Sequence, residues 1–182
     1  MILGTDKVRK LIDEDKLIEN LCERELNNPE SIVIDLRLNK LFKLKGKGFL
    51  GIDERQTPEA EEIISYSPNE KKSYIIKPGE YLIAETIEKI NVPKDVFVLF
   101  KPRTTLHRMG IIMRGTIADP GFGGILHPAI YNAGPCEVEI ELGARFFQCF
   151  FVKIDGESVP YRGQWQGGRV FTEEKEKQVT PI

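Results

Sequence analysis

The hydrophobic pattern of this chain changes period once, near Ser31, and does not change back. Before that point Leu11, Ile12, Leu17, Ile18 and Leu21 recur with charges between them, and Pro29 closes the stretch. This predicts an amphipathic helical cap over 1–30 whose apolar stripe packs on a core made by later residues. After it, Ile32, Ile34, Leu36 and Leu38 alternate with Val33, Asp35, Arg37 and Asn39. That is the period of a strand, with Asp35 and Arg37 on the solvated face opposite the apolar one. From residue 73 onward short β-rich segments follow one another, broken at Pro78-Gly79, Asn91-Val92-Pro93, Asn132-Ala133-Gly134-Pro135 and Gly143. Strands at that spacing, with no helical pattern between them, predict an antiparallel sandwich, jelly roll or barrel. Residues 53–70 are polar and proline-bearing and read as a surface excursion. The tail after Gly156, with Gly163, Gly167 and Gly168 followed by a charged run over 173–177, reads as a flexible C-terminal arm.

A chain of 182 residues is long enough for one domain with its own core. Its 26 Lys and Arg against 28 Asp and Glu leave a formal charge of −2, so there is no global basic footprint for nucleic acid. Neither a membrane span nor a signal-peptide core is visible, which makes the cytoplasm the expected compartment. Cys22, Cys136 and Cys149 are odd in number and widely spaced, so neither a disulfide framework nor a zinc knuckle is indicated.

The charge is not evenly spread. Residues 101–127 hold Lys101, Arg103, Arg108 and Arg114 against one acid, Asp119, a local +3. The same stretch carries Thr104, Thr105 and the turn Asp119-Pro120-Gly121-Phe122-Gly123-Gly124. Guanidinium forks, hydroxyl donors and glycines that permit close backbone approach are what a polyphosphate requires. A solvated basic loop followed by a hairpin turn would show the same composition. Asp119 in basic surroundings stays ionised and can polarise a water as general base; the alternative is a turn aspartate that bonds its own backbone. Asp35 near a polyphosphate could help hold a hydrated Mg²⁺. A P-loop, a Gly-x-Gly-x-x-Gly turn, a zinc-deaminase signature and a serine nucleophile elbow are all missing. Cys149, among Phe146, Phe147, Phe150 and Phe151, reads as core.

Together these residues resemble the dUTPase and dCTP deaminase superfamily. The likeness runs through Ile34-Asp35-Leu36-Arg37-Leu38, Lys77-Pro78-Gly79-Glu80-Tyr81, Pro102-Arg103-Thr104-Thr105-Leu106, the Asp119–Gly124 turn, Tyr131-Asn132, Gly143-Ala144-Arg145-Phe146-Phe147-Gln148 and Tyr161-Arg162-Gly163-Gln164. It covers most of the chain from Ser31 to about Gly168, in the superfamily's order. The resemblance implies a distorted jelly-roll or β-barrel protomer, dUTPase-like, working as a homotrimer with sites between subunits. The superfamily's deaminases carry a glutamate after the Asp-Pro-Gly turn, as Leu-Glu-x-x-Asn. Here Ala129 stands in its place, and a methyl group cannot move a proton. His127 is two residues away on the same face of a regular strand, with Pro128 between.

The resemblance therefore implies a dUTP diphosphatase that releases dUMP and pyrophosphate. Asp119 would activate the attacking water and Mg²⁺ would orient the triphosphate, with Asp35 holding the hydrated metal through water. Arg103, Thr104 and Thr105 would contact phosphates, Gln148 would bind a phosphate or hold the motif near it, and Phe122 would lie against the deoxyribose. Uracil would be read by the hairpin over 117–130. Arg108, Tyr161 and Gln164 also match substrate-binding positions, but of the deaminase branch. Thr116 and Ala118 stand where Gly and Ile are usual. A zinc-independent dCTP deaminase, alone or bifunctional, and a non-catalytic nucleotide-binding regulator remain the alternatives.

Overall fold

The computed structural model describes residues 1–115 and 117–178. Thr116 and the last four residues of the expected arm lie outside the described residues. The architecture is mostly β, a nearly closed antiparallel barrel-like sheet with a helix at the N-terminus, as the turn spacing predicts.

The long strand Ile34–Lys45 is its spine. One edge of its first half pairs with Arg145–Lys153, placing Ile34 opposite Cys149, Asp35 opposite Gln148 and Leu36 opposite Phe147. The other edge carries Tyr81–Thr86, with Leu41 opposite Ala84 and Phe42 opposite Ile83. The sheet continues from Tyr81–Thr86 through Ala129–Asn132 to Ile111–Arg114, and from Arg145–Lys153 to Val96–Pro102. Its two open ends approach where Ala118 and Val98 exchange backbone hydrogen bonds of 3.0 Å in both directions. Register shifts between Leu38 and Lys40 and between Arg145 and Phe147 supply the extra bend that curling a sheet requires. Leu36, Leu38, Leu41, Leu82, Ala84, Ile130, Phe146, Phe147 and Phe151 fill the interior, and Phe100 stacks on Phe147 with ring centroids 4.9 Å apart.

Three expectations are corrected here. The N-terminal helix covers only Thr5–Asp15. Lys16 turns into the left-handed region at φ 52°, and Leu17 and Ile18 are buried as extended residues, Ile18 pairing with Ile90. A second helix, Glu23–Asn27, follows. Residues 53–70 are not an irregular excursion, because Glu59–Ser65 is a strand that continues the edge of the long strand from Lys40 to Lys45. Asp35 does alternate with Ile34 and Leu36, yet it too is buried, at 3% exposure, because arginines from elsewhere in the chain cover it.

The tail beyond Gly156 returns across the barrel and ends in Glu176–Lys177, paired with Glu54–Gln56. Among the described residues, no helix is long and apolar enough to cross a membrane. Leu36 is fully buried at the centre of the spine, so Leu36→Ala is expected to destabilise the fold by about 3 kcal/mol. Urea unfolding read by tryptophan fluorescence and circular dichroism checks this.

Candidate functional site

Two polar centres form on this scaffold. The first gathers around Asp35. Its Oδ1 accepts from Gln148 Nε2 at 2.8 Å, and its Oδ2 lies 3.0 Å from Arg103 Nε and 3.1 Å from Arg145 Nη1. Arg145 Nη1 also donates to Glu25 Oε1 at 3.0 Å, and Glu25 Oε2 accepts from the Asp35 backbone N–H at 3.2 Å. Glu25 and Asp35 are both 3% exposed, so each carboxylate depends on these cationic partners for its compensation. Arg103 begins the short helix Thr104–Arg108, on which Thr104, Thr105 and Arg108 are exposed.

This centre does not suit a divalent cation. Three donors fill Asp35, two of them guanidiniums that would repel the ion, and among the described residues no cluster of three or more His, Cys, Asp or Glu could hold a metal. Asp35 anchors Arg103, Arg145 and Gln148.

The second centre is a cavity of about 430 Å³ lined by Asp119, Phe122, Leu126, His127, Tyr161 and Trp165, with others. The Asp119 turn is tight: Phe122 N–H donates to the Asp119 carbonyl at 3.0 Å and Gly121 N–H to the Val92 carbonyl at 2.9 Å. Phe122 is buried and meets Tyr161 edge-on, with centroids 5.5 Å apart at 78°. An aspartate beside two aromatic faces in an apolar-walled cavity can hold a flat heterocycle or sugar while directing one water.

The tail forms one wall. Tyr161 N–H donates to the Pro120 carbonyl at 2.7 Å and Gly167 N–H to the Gly123 carbonyl at 2.8 Å, while the Gln166 side chain bonds the backbone of Gly121 and Gly123. Gly124 and Gly168 make this approach possible. A Cβ on Gly124 would lie 2.6 Å from the Gly167 carbonyl carbon, and one on Gly168, at φ +79°, would strike the backbone of Ile125. Farther along, Arg55 and Arg169 both lie against the Trp165 ring, their guanidinium carbons 4.9 and 5.0 Å from its centroid. Thr57 and Thr172 exchange backbone-to-hydroxyl hydrogen bonds of 2.9 Å. Nothing in the local pattern of 53–57 or 165–172 signals this grip, because it joins segments more than a hundred residues apart.

The structure thus brings Asp119, Phe122 and Tyr161 together, and separately Asp35, Arg103 and Gln148. Gln164 joins neither group, its amide donating to the Lys177 carbonyl. Arg108 lies beside His107 and Cys136 in a shallow pocket elsewhere. Val98 neighbours Ala118, and Arg103 lies five residues farther along the strand, roughly 16 Å at 3.3 Å per residue. One copy of the chain therefore does not place the Thr104–Arg108 helix against Asp119. Sequence reasoning also missed Glu25 and the pairing of Glu85 with His127 on the cavity wall.

A family model described as dCTP deaminase-like matches residues 2–154. A protein of Sulfurihydrogenibium sp. (strain YO3AOP1) named "dCTP deaminase, dUMP-forming" is 33% identical over 174 residues, 94% of this chain and 95% of that one. A Methanothermobacter thermautotrophicus protein named "Probable deoxyuridine 5'-triphosphate nucleotidohydrolase" is 30% identical over 166 residues, 91% of this chain and 99% of its own. Among solved structures, the 2'-deoxycytidine 5'-triphosphate deaminase from Agrobacterium tumefaciens aligns with a TM-score of 0.64 at 17% identity over 82% of this chain, a likeness of fold. This chain spans about half the length of that one, 48%.

Two outcomes follow from the geometry. Arg145→Met strips Glu25 and Asp35 of a shared cation and is expected to cost about 3 kcal/mol in urea unfolding at pH 7. Gly168→Ala forces a left-handed alanine worth about 1–2 kcal/mol of strain against Ile125. Trypsin should then cut at Arg162 and Arg169 at least tenfold faster while the barrel's circular dichroism is unchanged.

Proposed function

The chain belongs to the dCTP deaminase-like family, and on that premise we propose that it hydrolyses dUTP to dUMP and pyrophosphate. The observation that carries the reading is Asp119, the one carboxylate among the described residues lining the cavity, set beside Phe122 and Tyr161. Phe122 and Tyr161 hold the nucleoside, and the close face of Phe122 against the sugar disfavours a 2′-hydroxyl. Asp119 takes a proton from a water, whose oxygen attacks the α-phosphorus; the bond to the bridging oxygen breaks and pyrophosphate leaves. Ala129, buried in the strand Ala129–Asn132, supplies no acid for deamination at the deaminases' usual position.

The phosphate contacts come from Arg103, Thr104, Thr105 and Arg108 of a neighbouring copy in a homotrimer. The distance along the strand from Ala118 to Arg103 supports this, and so do the exposed hydroxyls of the short helix. An exposed apolar row is consistent with such a contact: Ile112, Tyr131 and Tyr81 stand opposite one another on three adjacent strands, each well exposed. Gln148 acts by holding Asp35, and Tyr161 by walling the cavity. Magnesium would come with the substrate as Mg–dUTP and would supply charge neutralisation on the phosphates. Deamination of dCTP, alone or coupled to hydrolysis, is the second reading, favoured by the similarity to the Sulfurihydrogenibium deaminase.

Purified protein given dUTP or dCTP with Mg²⁺ and scored for pyrophosphate and ammonia separates these readings. Pyrophosphate from dUTP without ammonia from dCTP is expected. Ammonia from dCTP overturns the first reading as stated, and no product from either nucleotide leaves a binding protein. Asp119→Asn should lower dUTP turnover about a thousandfold while dUTP binding changes only a few-fold; retained turnover would exclude Asp119 as the base.

A further inference from the structure

Asp119 is not the only polar group on the cavity wall. His127 stands there too, and its Nε2 lies 3.0 Å from Glu85 Oε2 on the neighbouring strand Tyr81–Thr86. Glu85 Oε1 accepts from Asn39 Nδ2 at 2.8 Å and lies 3.8 Å from Lys40 Nζ. Both side chains of the pair are nearly buried, His127 at 11% and Glu85 at 12% exposure. Burial alone would raise the Glu85 carboxyl, but the hydrogen bond and charge of His127, with Lys40 and Asn39, outweigh it and hold the group below the usual carboxylate range. An ionised Glu85 accepts, so Nε2 of His127 carries the proton it receives. Among the described residues Nδ1 makes no hydrogen bond, which leaves it as the ring nitrogen available to a molecule in the cavity.

We propose that His127, fixed by Glu85, reads the 4-position of the pyrimidine ring and makes the choice between uracil and cytosine depend on pH. This rests on the reading that the cavity takes a pyrimidine deoxynucleotide. Uracil presents a carbonyl acceptor at its 4-position and cytosine an amino donor. The imidazolium donates from Nδ1 and matches uracil; the neutral ring, with its proton held on Nε2, accepts at Nδ1 and matches cytosine. Glu85 is the positioning residue, because it fixes both the ring and the tautomer. The charges facing His127 are Glu85 from one strand and Lys40 from the long strand, with Asp119, Tyr161 and Arg169 also lining the cavity. Lys40 is itself paired with Glu62 at 3.1 Å and Arg169 with Glu176. Discrimination for uracil therefore strengthens as pH falls.

The test is calorimetric binding of the non-hydrolysable α,β-imido analogues of dUTP and dCTP at pH 5.5, 7.0 and 8.5. Histidines titrate within this window and neither base does. The triphosphates titrate alike in both ligands and cancel in the affinity ratio. In the wild-type protein the uracil-to-cytosine ratio is expected to rise about tenfold from pH 8.5 to 5.5, the size of one charge-assisted hydrogen bond. In His127→Gln the ratio should be flat, and in Glu85→Gln the rise should shrink because the ring and its tautomer are no longer fixed. A flat ratio in the wild-type protein, or an unchanged pH dependence in His127→Gln, overturns the proposal while leaving the nucleotide site standing. Failure of both analogues to bind at any pH overturns the nucleotide site and the proposal together. The wild-type measurement is decisive by itself if either variant fails to fold.

Discussion

Two carboxylates buried beside two arginines hold this molecule in register. Glu25 and Asp35, each 3% exposed, are compensated by Arg145 and Arg103, which come from the strand Arg145–Lys153 and from the end of its neighbour Val96–Pro102. Such a cluster adds little net stability, since desolvation offsets the attraction, but any arrangement that separates its members leaves a bare buried charge. The second helix, the start of the spine, the onset of the helix Thr104–Arg108 and the strand Arg145–Lys153 are thereby fixed relative to one another. Slipping the spine by one residue would turn Asp35 away from Gln148 and exchange the whole apolar face for the polar one.

The barrel could be read from the chain because its apolar strands alternate cleanly and its turns carry Gly, Pro and Asn. What could not be read was decided by distant partners. Leu17 and Ile18 fit a helical stripe as well as a strand, and only Ile90, far along the chain, chooses between them. Asp35 sits at a position that alternation assigns to solvent, and the arginines that cover it lie 68 and 110 residues away in sequence. Glu59–Ser65 escaped notice because its pairing is marked by charge: Lys45 with Glu61 at 2.6 Å and Lys40 with Glu62 at 3.1 Å.

The candidate site was legible in the same uneven way. Asp119 and Phe122 share one turn, and Tyr161 follows from the family likeness, so this half could be named from sequence. The Glu85–His127 pair joins residues 42 apart that belong to no common motif. Gln164 shows the reverse error: it matches the motif, yet its amide is spent on the backbone of Lys177. Matching a motif fixes where the backbone runs; the direction of a long polar side chain depends on which acceptor the surrounding segments offer.

The spine strand lives in two solvents at once. From Ile34 to Phe42 it is mostly buried, whereas Lys43, Leu44 and Lys45 are exposed and bordered by charged neighbours. Dissolved ions weaken the attraction between exposed charges, over a Debye length of about 10 Å at 0.1 M and about 3 Å at 1 M, and do not weaken apolar burial in this way. Rising ionic strength therefore acts most on the exposed end of the strand, and next on Lys40 where it pairs with Glu62. In brine the strand would loosen first at Lys45, the end farthest from Asp35.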